Sequence, residues 1–526
     1  MDVIDNAIEK KWYITDDEMI NRQSWEMFAQ KSAGKKIFLY GVGDGLYHFM
    51  GYYANEYSIE GILDSNKRIH GLKLSEIIMH NIPESMEDLE ICDPHILDNY
   101  AIDEIVVLVL SLKQFPAIIA QLKNKGLDSF SFLVMESKLK GEHKGIDYRR
   151  QYIEKCCEEK INEKKIVFYT MGSFSGHGKQ IVLKLLKLRK DLDIVWIVNE
   201  CKEELDGIRF VYKHNKKQFI YEMETAKYWI YDDMVPKYFV KRPEQIYIQI
   251  KHWSSITLKT FGFDLTRFRG EKSQIEVCEY NREWIDYMIT GSKFDTETCR
   301  RGFEFEGKIF EAGSARTDVL FTGDKYYKKI CEEYGRESGC KYLLYAPTFR
   351  CKKNVCYQPD QGEIELDFEK VKEALELKFG GEWYILLRLH PVVANKADKM
   401  DLPSYVINVS DYPDSQELVA ASDVMITDYS SIMFEPAFVN KPVFLFATDR
   451  EEYIDGERGL LIDYNELPFS ISDSNEELVK RISEFNQEDY EHKLNMFFEQ
   501  YGVHEDGHAS ERAAQFISDI IDGKEV

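Results

Sequence analysis

The sequence predicts an α/β protein: two successive open parallel sheets, preceded by a smaller unit of the same kind. Three observations point there. Short apolar runs of strand length alternate with helical stretches along nearly the whole chain. Glycine, hydroxyl, arginine and histidine residues recur just after those runs, where strands of a parallel sheet would end. The chain also has 526 residues, 44% of them hydrophobic, enough material for three ordinary cores. The predicted partition is an N-terminal Rossmann-like domain over 1–140, a charged linker helix over 141–164, a second Rossmann-like domain over 165–330 and a third over 331–526.

Residues 1–34 read as amphipathic helix, with Trp12, Trp25, Met27 and Phe28 available for packing. Lys36–Tyr40 is the first strand and leads into Gly41-Val42-Gly43-Asp44-Gly45. Ile59–Leu63 is the second and ends at Asp64. An acid about 20 residues past a glycine turn can hold a ribose, but Leu46 stands where a third glycine belongs, so both a nucleotide site and a plain tight turn stay open. Glu104–Leu110, a helix over Phe115–Lys125 and a strand near Phe130–Val134 complete this unit. The second series opens at Ile166–Tyr169 and Gly172–Gly178, followed by a helix over Lys179–Leu188. It continues with strands at Ile194–Val198, Tyr228–Tyr231, Gln245–Gln249 and Lys308–Glu311. The third runs through Lys341–Tyr345, Tyr384–Leu389, Tyr405–Val409, Val424–Ile426 and Pro442–Phe446 to an acidic helical tail from Glu476.

Composition excludes several functions. The net charge is −24, from 92 acidic and 68 basic residues, which argues against nucleic-acid binding. An anionic substrate then needs a local basic pocket working against the overall field. The ten cysteines form no CxxC pair, so reduced thiols fit better than a zinc site. The first residues are acidic without a signal-peptide core, and no apolar run is long enough to span a bilayer. A cytoplasmic protein, peripheral at most on the inner face of the membrane, is expected.

The chemistry concentrates at strand exits. Tyr345-Ala346-Pro347-Thr348-Phe349-Arg350, Arg388-Leu389-His390-Pro391 and Thr427-Asp428-Tyr429-Ser430-Ser431 follow three strands of the third series, and parallel strands bring such ends to one edge. Ser430 and Ser431 stand at a strand-to-helix junction, where free N–H groups and hydroxyls suit a phosphate, or where Ser430 simply caps a helix. Arg458 lies on a loop over the same edge. In the second series His252 follows a strand and could take a proton from a hydroxyl. Arg316 opens another strand-exit turn, with a structural Arg316–Asp318 pair as the alternative.

From about Lys165 to the end, the chain resembles the CDP-glycerol glycerophosphotransferase family, the polymerases and primases of teichoic acids and related phosphate-linked capsules. The resemblance rests on YAPTFR at 345–350, RLHP at 388–391, ITDYSS at 426–431, Lys441-Pro442-Val443 and the Tyr453…Arg458-Gly459 loop, in the family's order. It implies a glycosyltransferase-B-like pair of Rossmann domains that needs no cofactor or metal. By resemblance, the third domain binds a CDP-alditol such as CDP-glycerol. His390 then contacts the donor phosphates, Ser430 and Ser431 the pyrophosphate, and Arg350, Arg388 and Arg458 occupy basic positions; Thr427, Asp428, Glu435, Lys259 and Arg316 complete the expected substrate contacts. His252 matches the base acting on a lipid-linked or polymeric acceptor. Two departures stand out. Where the family has a Trp-His-Gly-Thr type turn before Leu-Lys, His252 here follows Lys251 and the stretch Trp253-Ser254-Ser255-Ile256-Thr257 is longer and lacks the glycine; counting back from Leu258-Lys259 instead puts Ser254 in the histidine's place. Glu435-Pro436 also replaces the usual Asp-Phe. The expected activity is transfer of glycerol phosphate, or another alditol phosphate, with release of CMP. A nucleotide-sugar transferase or epimerase of the same architecture and an inactive binding module are the alternatives.

Overall fold

The computed structural model describes residues 25–54, 56–78, 82–110, 115–127, 130–132, 148–201, 203–270, 272–351, 359–360, 364–390, 400–451, 453 and 459–525. Residues 1–160 with 211–225 form one compact unit, and 161–210 with 226–526 form the other. Residues 1–24 of the helix expected over 1–34, residues 141–147 of the linker helix expected over 141–164, Pro391 and Arg458 lie outside the described residues.

In the first unit, β1 (Lys36–Tyr40), β2 (Ile59–Leu63), β3 (Ile91–Cys92), β4 (Ile105–Val109) and β5 (Phe130–Phe132) form a parallel sheet of order β3-β2-β1-β4-β5. Side chains alternate across it. Leu39, Ile62, Val106 and Leu108 pack with Leu46 and Phe49 on one face, while Phe38, Tyr40, Val107 and Val109 pack with Ile118 and Leu122 on the other. Gly45 is needed because a Cβ there would run into the Leu110 carbonyl. Asp64 does not stand open for a ribose. Its carboxylate accepts the N–H groups of Val42 (2.9 Å) and Asn66 (2.8 Å), closing the glycine turn on itself.

The second unit holds two sheets. One comprises β6 (Asn162–Tyr169), β7 (Asp193–Val198), β8 (Ile208–Tyr212), β9 (Ala226–Tyr231), β10 (Ile246–Gln249), β11 (Tyr287–Thr290) and β12 (Lys308–Glu311), in the order β12-β11-β10-β9-β6-β7-β8. The other starts with β13 (Lys341–Ala346). After a small antiparallel ribbon, β14 (Arg350–Cys351) and β15 (Pro359–Asp360), it adds β16 (Trp383–Leu387), β17 (Val406–Asn408), β18 (Val424–Thr427), β19 (Val443–Phe446) and β20 (Ser470–Ser472). Its order is β17-β16-β13-β18-β19-β20. In each sheet the first strand sits centrally, with the chain winding away on both sides. The switch points therefore lie between β6 and β9 and between β13 and β18, where open α/β sheets bind ligands.

Two expectations change here. The helix expected after Ser431 is a 3-10 turn, Ser431–Met433, and a single α-turn, Phe434–Ala437. The Lys441-Pro442 turn into β19 follows closely, and so short an element has little macrodipole to offer an anion. The final helix, Ala509–Ile521, packs against helix Gly176–Leu188. Phe516 stacks on Phe310 of β12 at 4.2 Å, and Asp318 receives the N–H groups of Ala509 (3.1 Å) and Ser510 (2.7 Å). Asp318 thus caps the last helix instead of pairing with Arg316.

Candidate active site

On the β6–β12 side the chain leaves β10 through Lys251, whose φ of +46° is unusual for a side-chain-bearing residue. A buried ion pair holds this bend: Lys251 Nζ lies 2.7 Å from Asp295 Oδ2 and also donates to the carbonyls of Trp253 (3.1 Å) and Ser254 (3.2 Å). Asp295 receives the Trp253 indole N–H (2.9 Å) and the Gly291 N–H (2.7 Å) as well. The outcome is an exposed His252 ring with Nδ1 3.3 Å from the Asp232 carbonyl. Ser254, the other candidate for the histidine position, is buried, and its hydroxyl donates to the Ile256 carbonyl at 3.5 Å.

A second histidine, invisible to the motif reading, supports the same turn. Buried His177 bonds through Nε2 to the Trp253 carbonyl (2.7 Å) and accepts the Arg316 N–H on Nδ1 (3.4 Å). Burial, then the charges of Lys251 and Arg316, hold its imidazole well below the usual range, so it stays neutral. Arg316 itself donates to the His252 carbonyl through Nη1, while Nη2 lies 3.1 Å from Glu435 of the other sheet. Gln416 completes Glu435 at 3.1 Å. Arg316 and Glu435, expected to touch substrate, are thus bonded to each other across the two halves. Lys179 makes a parallel buried connection to Asp414 (3.2 Å) and Glu417 (3.0 Å).

On the β13–β20 side, Asp428 organises the edge. Its carboxylate accepts the N–H of Thr348 (2.9 and 3.1 Å) and lies 3.0 Å from Arg350 Nη1. Arg350 also pairs with Asp449 at 2.7 Å and sits about equally far, 5.1 and 5.0 Å, from the stacked rings of Tyr429 and Tyr453. Lys259 reaches the Tyr453 ring at 5.2 Å. His390 is exposed beside Phe349, ring centroids 4.5 Å apart. Ser430 is half-buried and caps the 3-10 turn through Ile432 N–H at 3.5 Å. Thr427 is buried and bonded to the Ala346 carbonyl at 2.7 Å.

Two expected phosphate contacts have other duties. Arg388 turns inward and donates to the carbonyls of Val409 (3.1 Å) and Tyr412 (2.8 Å), bracing the strand exits. The Ser431 hydroxyl receives the Leu258 N–H (3.0 Å) and meets the Thr257 hydroxyl at 2.9 Å. Beyond it, Leu461 N–H donates to the Leu258 carbonyl (2.8 Å) and Thr260 N–H to the Gly459 carbonyl (2.9 Å). The segment carrying His252 is therefore hydrogen-bonded directly to the turn that carries Asp428 and Ser430. Sequence reasoning missed His177, Asp295, Asp449 and Lys179. Asp449 and Lys179 had no motif around them; Asp295, which opens the turn after Ser292, carried the legible signal of an N-terminal helical acid.

Comparison with known proteins identifies the family and the fold. The model of the family described as CDP-Glycerol:Poly(glycerophosphate) glycerophosphotransferase matches residues 151–519. A teichoic acid poly(glycerol phosphate) polymerase of Staphylococcus epidermidis is 30% identical over 377 residues, covering 69% of this chain and 51% of that protein. A teichoic acid glycerol-phosphate transferase of Staphylococcus aureus is 28% identical over 379 residues, 68% of this chain and 94% of that one. The chain thus spans about half the length of the first relative and nearly all of the second. A structure of the wall teichoic acid polymerase TagF superposes with a TM-score of 0.62 at 26% identity, covering 78% of this chain and 98% of that one.

Proposed function

The chain belongs to the CDP-glycerol:poly(glycerophosphate) glycerophosphotransferase family, and from that membership we propose that it moves glycerol phosphate from CDP-glycerol onto a hydroxyl of a teichoic-acid-type acceptor. The acceptor oxygen attacks the phosphorus that bears glycerol, and a new P–O bond forms. The bond to CMP breaks, CMP leaves with the bonding electrons, and the acceptor proton passes to a base. Transfer of this kind asks the protein for alignment and charge neutralisation more than for covalent chemistry.

His252 is the base. Its Nδ1 faces a backbone carbonyl, which fixes the tautomer with the basic lone pair on the other nitrogen. His390, Ser430 and the N–H groups around the Thr427–Ser431 turn receive the donor phosphates, with Lys259 supplying positive charge at the same edge, while Arg350 is held between Asp428 and Asp449 and shapes it. Phosphate neutralisation by these groups needs no metal. The acceptor is lipid-linked or polymeric, and the protein works in the cytoplasm, peripherally on the inner face of the membrane; among the described residues no helix is long and apolar enough to cross one. The observation that carries the reading is the direct bonding of the His252 segment to the Asp428–Ser431 turn.

The test is CMP release from CDP-glycerol in the presence of acceptor, with CDP-ribitol and UDP-sugars in parallel, for wild type, His252→Ala and His390→Ala. Release from a CDP-alditol, lost in both variants, supports the transferase and both histidine roles. General-base loss should lower the rate roughly 10²–10⁴-fold. Silence with every donor despite donor binding would overturn it.

A further inference from the structure

The two sheets of the second unit repeat one device at their switch points. Asp428 is the first residue past β18, and its carboxylate accepts the N–H of Thr348, two residues past the central strand β13. Asp232 is the first residue past β9, and its Oδ1 accepts the N–H of Met171, two residues past the central strand β6, at 3.0 Å. The places correspond, but the surroundings do not. Asp428 is answered by Arg350 at 3.0 Å. Asp232 is 7% exposed and has no ion-pair partner among the described residues.

A carboxylate so enclosed, with one backbone N–H on its side-chain oxygens from elsewhere in the fold, is short of donors. Burial and the adjacent Asp233 push its carboxyl well up from the usual range, against the opposing pull of the Met171 N–H, the Arg316 charge and its own N–H. The backbone around it is held in an uncommon shape. Met171 has φ +43° and Gly172 φ +80°, while Met171 itself is 57% exposed although apolar. Strain of this kind gathers where ligands are gripped. The Asp232 carbonyl meanwhile holds the His252 ring, so one residue touches both the switch-point crevice and the base.

We propose that Asp232 anchors the acceptor: its carboxyl group hydrogen-bonds a hydroxyl of the incoming polyol terminus, and the methylene face of that terminus lies against Met171. The inference rests on the transferase reading above and adds to it the group that selects a hydroxyl-bearing acceptor. No bond to phosphorus is made or broken at Asp232; it orients the nucleophile that His252 deprotonates.

The experiment uses the full chain, CDP-glycerol and a synthetic short glycerol-phosphate oligomer as acceptor. Asp232→Asn keeps an oxygen for the Met171 N–H but replaces the carboxyl group by an amide. Its kcat/KM for the oligomer should fall at least about 10-fold, equal to about 1.4 kcal/mol, mainly through KM. Equilibrium binding of CDP-glycerol should stay within about twofold. Asp232→Ser, which also leaves an acceptor for Met171, should behave alike. An Asp232→Asn enzyme within twofold of wild type toward the oligomer overturns the inference and leaves the transferase intact. Loss of melting temperature together with loss of CDP-glycerol binding in both variants places Asp232 in the structural frame and overturns it too. A wild type that releases no CMP from any donor overturns the transferase reading, and the anchor with it.

Discussion

Lys251→Met is the sharpest perturbation of the turn that presents His252. In the native chain Lys251 and Asp295 are almost wholly enclosed, and their 2.7 Å contact is supplemented by the indole of Trp253 and the Gly291 N–H. Removing the ammonium leaves Asp295 buried without its counter-charge, which costs about 3–5 kcal/mol. With an unfolding entropy of about 2.1 cal/mol/K per residue over a unit of about 350 residues, that lowers the melting temperature by about 4–7 °C. Lys251→Met with Asp295→Asn removes both charges, and most of the stability should return. Activity should not return with it. The Lys251 ammonium also holds the Trp253 and Ser254 carbonyls, so the double variant keeps a fold but loses the rigid turn. Thermal melts and CMP release, measured on the same preparations, separate the two effects. A single variant melting within 1 °C of wild type, or a double variant no more stable than the single, would refute the reasoning.

Three further outcomes are expected. Glu505 is enclosed by Ser255, Ser314 and Thr317, and burial pushes its carboxyl up to about 7. The folded state therefore keeps a proton that the unfolded chain releases near 4.5, so stability should fall between about pH 4.5 and 7, by at most about 1.4 kcal/mol per pH unit. Glu505→Gln should flatten that slope in denaturant titrations. His177, held below 6.5, shows the opposite sign: the unfolded chain binds a proton that the folded one refuses, and stability falls with acidification below about 6.5. His177→Gln should remove this limb, seen in melts from pH 7 to 5. Ser431→Ala strips the acceptor from the Leu258 N–H and should cost about 1–3 kcal/mol. Ser430→Ala, which loses a weaker cap, should cost less in a melt but weaken CDP-glycerol binding more.

The sheets were largely legible because their strands are apolar runs bounded by turn residues, as in β4 and β13, and such runs need no tertiary context. Tyr287–Thr290 and Ser470–Ser472 escaped because three or four residues at a helix end carry no period of their own. At the site, residue types were readable and allegiances were not. Arg388 and Arg350 look alike in sequence, each just past a strand. Only the fold decides that one braces carbonyls while the other stands between two carboxylates and two tyrosines. The same holds for the serines, since Ser431 is claimed by Leu258 from 173 positions away. The final helix was read as helix, but its partner surface was not legible, because it lies some three hundred residues earlier.

The short pairing of Lys259 with Leu460 also has a kinetic meaning. Because the segment after His252 is clamped to the loop beside the turn that carries Asp428 and Ser430, any rotation that parts the two halves must first break these backbone bonds. Under the proposed roles, opening would therefore separate His252 from the donor turn, and a donor held in an open enzyme would meet no aligned base.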